Sequence, residues 1–464
     1  MADRDLVERL KERRAELART LLDHPITRAS GGLPAAVLFS PPVAVRNHDV
    51  EHPFRAGSDL AYLTGFEEPE AVLVLLPGEK ETRSVLFVRP RDKEREMWTG
   101  RRAGPEGAVS RFGVDEAHPV AELSSWLPRL LRGRRAVFAH LGQSAADDRV
   151  VFDAVGVARA RSRREGVWPI AFGDLAEVLH RFRQVKSDDE IALLERAVAA
   201  TAAGHRRAMA VTRAGLYESD LEAVLTYEFR RGGAKRHGYE PIVAAGDNAC
   251  ILHYVENQDP LEDGDLVLID AGAEHSLYTA DVTRTFPVSG RFSPAQRRVY
   301  ELVLRANEAA IEAARPGASL KQLDEVARRV LAEGLKGLGL LSGEIDELVE
   351  KRPFEGMTEG HPGRAPLDRY YPHSTGHWLG MDVHDVGPYH DGREPTPFSP
   401  GMVFTVEPGL YFPRDDDGVP EEYRGIGVRI EDDLVITEVG HRVLTAAIPK
   451  RPDEVEALIN TKTL

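Results

Sequence analysis

The chain has 464 residues, 42% of them hydrophobic and 29% charged, with a formal net charge of -15. That length exceeds one ordinary core and implies two domains; the composition excludes long disordered tracts, and the negative charge excludes general binding to nucleic-acid phosphates. One cysteine, Cys250, cannot form an internal disulfide, and there is neither an apolar signal core nor a run of ~20 apolar residues, so a cytoplasmic protein without a membrane span is expected.

The first 22 residues carry apolar positions at helical spacing between charges. AAVLFS, AVLVLLPG, SVLFV and AVFAHLG then follow as short apolar runs with the look of buried strands. Helical stretches such as VAELSSWLPRLLRG lie between them, so residues 1–175 are expected to form a small α/β domain. Ser187 and Glu190 have the spacing of a capping box, and a long helical pattern follows. Residues 176–464 are therefore expected to form a second domain. That domain contains an echo. The segment starting at Thr212 resembles the one starting at Ala314, with Gly215, Leu221 and Gly232 matched by Gly317, Leu323 and Gly334 at a constant offset of 102. A fixed offset suggests a duplicated helix–strand unit arranged about a pseudo-two-fold axis, with a site between the copies.

Four clusters carry the chemistry. In LVLIDAGAEHSLYTADVTRTFPV, two strand-like runs put Asp270 at the end of one strand and Asp281 at the start of the next, joined by a hairpin turn. Carboxylates facing each other there repel unless a cation or proton lies between them. In YYPHSTGHWLGMDVHDVG, His373, His377 and His384 fall within twelve residues, and Gly376 and Gly380 imply close backbone approach. Glu407 ends the strand-like MVFTVE before Pro408–Gly409, and Glu431 interrupts a strand that carries Arg429 two residues earlier. Each acid, taken singly, is also readable as an ordinary strand end. Together they offer four oxygen donors and one nitrogen donor, which suits Mn, Co, Fe or Zn, and bridging carboxylates could hold two ions roughly 3.5–4 Å apart.

The order Asp, Asp, HxxxHWLGxDVHDVG, TVEPGLY, RGIGVRIEDD resembles the pita-bread metallopeptidases: methionine aminopeptidase, prolidase and, most similar, aminopeptidase P. FRAGSDLAYLTGFEEPEAVLVLLPG and REMWTGRRAGPEGA extend the resemblance over nearly the whole chain. It implies an α/β (α+β) protein, with a small N-terminal α/β domain before a C-terminal pita-bread domain. It implies Asp270, Asp281, His377, Glu407 and Glu431 as ligands of two divalent ions, manganese first, with cobalt, zinc or iron as alternatives. Asp281 and Glu431 would bridge the ions, and Asp270 and Glu407 would each hold mainly one.

The resemblance further implies His253, His373 and His384 near the substrate and Arg429 as a partner of the ligands. The substrate's proline ring needs a flat, apolar pocket, for which Tyr411, His373 and the Trp378 region are candidates, with Trp98 from a neighbouring subunit a further one. Ser374 departs from the glycine common at its position. The implied activity is release of the N-terminal residue from peptides with proline in second position. A hydroxide shared by the ions would attack, His384 would stabilise the oxyanion, and Glu407 would carry the proton. Prolidase, which cleaves only Xaa-Pro dipeptides, is the nearest alternative, and a metal-free binding module is a remote one. The N-terminal domain implies a homodimer or homotetramer.

Overall fold

The apolar runs of the first part are strands buried on both faces, as continuous Val/Leu/Ala stretches require. They are β1 (Leu33–Phe39), β2 (Val72–Leu76), β3 (Arg83–Val88) and β5 (Arg134–Ala139). Two short strands that the sequence did not reveal, β4 (Glu116–Pro119) and β6 (Ala171–Asp174), complete one sheet in the order β4-β3-β2-β1-β5-β6. β1, β5 and β6 run parallel, while β2 is antiparallel to both β1 and β3. In this computed structural model the described residues are 4–164, 166–352 and 363–460; residues 1–3 of the N-terminal helical segment lie outside them. The chain divides into two compact units, Met1–His180 and Arg181–Leu464.

The second unit is built twice. Its first half consists of α1 (Asp188–Val211), α2 (Glu218–Arg231) and an antiparallel meander of β7 (Ile242–Ala245), β8 (Leu266–Asp270) and β9 (Thr283–Pro287). Its second half has α3 (Pro294–Ala313) and α4 (Leu320–Gly337). A hairpin of β11 (Gly409–Phe412) and β12 (Ile426–Arg429) interrupts its own meander, which runs through β10 (Val403–Val406), β13 (Asp432–Ile436) and β14 (His441–Val443). Ser187 opens α1 with its backbone N–H donating to Glu190, 3.1 Å away.

The matched glycines do the same work in both halves. Gly215 and Gly317 take φ of 86° and 83°, where a side chain would be strained. Each donates its N–H to a distant carbonyl, Leu261 at 3.0 Å and Phe398 at 2.9 Å. A Cβ on Gly232 would come within 2.7 Å of Ala200, and one on Gly334 within 2.1 Å of Leu302. The echo thus marks a left-handed turn and a close helix–helix contact that recur in both halves.

The two halves meet through their strands. Thr283 O accepts from Glu431 N–H at 3.1 Å, and Thr285 Oγ1 donates to Arg429 O at 3.0 Å. Arg284, fully buried, donates to Asp432 at 2.8 Å and to the backbone carbonyls of Ile448 and Pro449 at 3.1 Å each.

His205 of α1 is also fully buried, with Nε2 2.9 Å from the Ala271 carbonyl, to which it donates. Burial pushes its pKa down to about 4. In the unfolded chain the value returns to about 6.5. Stability from this group is therefore complete above about pH 6.5 and is lost as pH falls towards 4, at about 1.4 kcal/mol per unit. Guanidinium unfolding of the chelated protein at pH 7 and pH 5 should show His205→Gln losing ~2 kcal/mol less than the unsubstituted chain. Equal losses would contradict the assignment.

Candidate metal centre

Asp270 closes β8 and pairs with Thr283 of β9. The expected simple hairpin is not there. After Asp270 the chain forms a second small hairpin, Ala273–His275 with Tyr278–Thr279, and Asp281 lies just before β9 rather than in it. Asp281 is two residues from Thr283, so period-two alternation turns it to the same face as Asp270. Tyr239 fixes the pair. Its hydroxyl is 2.6 Å from Asp270 Oδ1 and 2.5 Å from Asp281 Oδ1.

His377 lies in irregular backbone laid against β10. Thr405 N–H donates to His377 O at 3.0 Å, and Glu407 N–H donates to Thr375 O at 2.8 Å. The His377 Nδ1–H donates to Trp378 O at 3.0 Å, which leaves Nε2 facing Asp281 at 3.3 Å and Glu407 at 3.5 Å. Glu431 occupies the break between β12 and β13, where the chain passes from one sheet to another; Thr283 Oγ1 donates to it at 2.7 Å. All five side chains line one cavity of about 500 Å³, together with Tyr239, His253, His373, His384 and Arg429.

The electrostatics ask for a cation. Burial and the charges of Asp281, Glu407 and Asp270 hold Glu431 well above the usual carboxylate range. Burial pushes Glu407 up to about 7 and also raises Asp270, with Arg429 opposing both. Burial alone would lower His377, yet its hydrogen bond to Asp281 and the Glu407 charge raise it to about 9. The donor atoms of Asp281, His377 and Glu431 all lie within 4.8 Å of one another. One nitrogen and a set of carboxylate oxygens fit divalent transition metals.

Among the described residues, Arg429 is the one guanidinium that lines the cavity. It donates to Asp270 at 2.7 Å, to Tyr411 Oη at 3.0 Å and to Thr283 Oγ1 at 3.1 Å. Tyr411 is buried behind the cavity and sits 2.8 Å from His373 Nε2. His373 Nδ1–H donates to Ser374 O at 2.9 Å, so Nε2 accepts from Tyr411. Burial pushes His373 down to about 3, which keeps it neutral. His384 stacks edge-on against His377, with ring centroids 4.4 Å apart. Trp98 belongs to the N-terminal unit and is 87% exposed.

Sequence reading missed two residues of this site. Tyr239 carries no periodic or motif signal in HGYEP. Asp433, whose carboxylate accepts from Asp281 N–H at 3.1 Å, was legible as the third acid of an IEDD run in an apolar strand.

Gly376 and Gly380 are close approaches, as expected. A Cβ on Gly376 would lie 2.0 Å from the Thr405 carbonyl oxygen. Gly376→Ala must push the His377 loop off β10. The expected outcome is a loss of about 1–3 kcal/mol in stability and weaker metal binding by ~10–100-fold. Calorimetry and metal titration measure the two, and unchanged metal affinity would contradict the role given to this contact.

Family models match the chain twice: metallopeptidase family M24 over residues 192–438, and the aminopeptidase P N-terminal domain over residues 10–138. The Xaa-Pro aminopeptidase of Escherichia coli is 45% identical over 92% of this chain and 93% of its own length. Human Xaa-Pro aminopeptidase 3 is 34% identical over 92% and 81%. Among solved structures, Pseudomonas aeruginosa aminopeptidase PepP superposes with a TM-score of 0.89 at 45% identity, covering 98% of both chains. Zinc-substituted E. coli aminopeptidase P with product bound gives 0.89 at 42%, again over 98% of both. The chain belongs to metallopeptidase family M24 and, within it, to the aminopeptidase P branch with the pita-bread fold. It is a hydrolase of the metal-dependent kind. Among the described residues no helix is long and apolar enough to cross a membrane.

Proposed function

We propose that this protein releases the N-terminal residue from peptides whose second residue is proline, with Asp270, Asp281, His377, Glu407 and Glu431 holding two divalent ions. The observation that carries this reading is the convergence of Asp270, Asp281, His377, Glu407 and Glu431 on a single cavity, with Asp281 and Glu431 buried. The proline preference rests on relatives named Xaa-Pro aminopeptidases that align over most of both chains. When bound, the ions supply Lewis acidity, lowering the pKa of water from about 15.7 to roughly 7 and polarising the scissile carbonyl.

The protein's own groups do the rest. Tyr239 and Arg429 hold Asp270 in place, and Tyr239 and the Asp433 carboxylate fix Asp281. Glu407 carries a proton to the leaving proline nitrogen. His384 stabilises the oxyanion, and His253 borders the substrate space. The chain Arg429–Tyr411–His373 fixes the His373 ring as one wall for the proline. Manganese is the expected ion, with cobalt, zinc or iron as alternatives. A cytoplasmic location belongs to the same reading. So does a division of labour in which residues 1–175 serve homodimer or homotetramer formation, presenting Trp98 to a neighbouring site, and residues 176–464 serve catalysis.

The experiment is a mass-spectrometric assay of Xaa-Pro-Yaa peptides and Xaa-Pro dipeptides after chelation and after manganese is restored. Metal-dependent release of the first residue from the longer peptides is expected. Cleavage of the dipeptide alone would make the enzyme a prolidase, and cleavage indifferent to metal would overturn the site.

A further inference from the structure

Three side chains of the N-terminal unit converge although nothing in the chain order relates them. Asp59 lies in the first turn of helix Ser58–Thr64. His140 directly follows β5, and His180 lies on helix Leu175–Gln184, which starts where β6 ends. Because β5 and β6 run parallel, His140 and the start of that helix share the carboxyl edge of the sheet, the edge at which open α/β sheets bind ligands. Asp59 Oδ2 is 3.0 Å from His180 Nε2 and 3.3 Å from His140 Nε2. All three donor atoms lie within 4.8 Å of one another. The side chains are 11%, 17% and 23% exposed for Asp59, His140 and His180, sheltered yet reachable by an ion.

Two donors held ~2.05 Å from one tetrahedral ion lie about 3.3 Å apart. The His140 separation of 3.3 Å equals that spacing and the His180 separation of 3.0 Å lies close to it. Two imidazole nitrogens and one carboxylate oxygen are borderline donors; they favour zinc and its late first-row neighbours over magnesium or calcium. A fourth position is left for water. The competing arrangement, in which both rings donate N–H to one carboxylate oxygen and nothing binds, uses the same contacts.

We propose that Asp59, His140 and His180 form a mononuclear zinc-class site in the N-terminal unit, built from none of the residues of the dinuclear centre. The test counts ions on the full chain. Apo protein is loaded with Zn²⁺, dialysed against micromolar free Zn²⁺ and assayed by elemental mass spectrometry. The variant Asp281→Asn/Glu431→Gln, which disables the dinuclear centre, should retain one ion per chain. Adding His140→Gln and His180→Gln to it should remove that ion. On the otherwise unsubstituted chain, the two histidine changes should lower the zinc count by one and leave peptide turnover unchanged. No ion on the first variant, or an ion that survives loss of both histidines, would overturn the site. Should the histidine variants fail to fold, ¹¹³Cd resonances of the first variant decide: one signal in the range of mixed nitrogen and oxygen ligands supports the site, and none overturns it.

Discussion

Glu431→Gln should cost the enzyme roughly a thousand-fold in turnover yet raise the melting temperature of the chelated protein. The first effect follows from losing one of the proposed ligands: Lewis acidity is worth several kcal/mol, and ~4 kcal/mol is about three powers of ten in rate. The second follows from the bare site. Four carboxylates share one Arg429 and one His377, and Glu431 is held well above the ordinary range by burial and by its acidic neighbours. A neutral amide keeps the shape and still accepts from Thr283. A rise of at least ~2 °C by calorimetry in chelator is expected, with the order of the two proteins reversed once manganese is added. A chelated Glu431→Gln protein less stable than the unsubstituted one would show that repulsion does not govern the empty site.

Arg429→Met should act with the opposite sign. The guanidinium is buried and serves Asp270, Tyr411 and Thr283 at once. Removing it strands the Asp270 carboxylate, a loss of about 3–5 kcal/mol, largest in chelated protein, where no ion compensates. It also frees Tyr411 and with it the His373 ring, so turnover falls even at saturating metal. Arg429→Lys can restore one contact but not three and should recover only part of the stability. Denaturant midpoints with and without metal measure this; equal losses in both states would remove Arg429 from the charge balance.

Residue type and order were enough to find much of this site. Acids that end or break apolar strands are conspicuous because burial penalises them, and that is how Asp270, Glu407 and Glu431 stood out in the sequence. The glycine pairs stood out because helix contact and left-handed backbone tolerate little else. Tyr239 was silent, since a tyrosine before a strand is ordinary and its importance lies in two carboxylates brought to it by a fold. The extra hairpin between Asp270 and Asp281 was hidden for a related reason: its strands are two or three residues long, too short for alternation to register. β4 and β6 failed likewise, as EAHP and AFGD carry little apolar pattern. Asp59, His140 and His180 belong to three separate elements, and only the sheet order brings them together.

In the proposed site the first half of the duplicated unit supplies Asp270 and Asp281 and the second supplies His377, Glu407 and Glu431, so bound ions would act as a clasp between two half-proteins. Neither half can keep its share once the other melts. Ion binding then adds to folding free energy as RT ln(1 + [M]/Kd), so the free-metal level around the protein sets its lifetime as well as its rate. Under metal scarcity the enzyme is expected to lose molecules to proteolysis, where a rigidly prebuilt site would lose turnover alone.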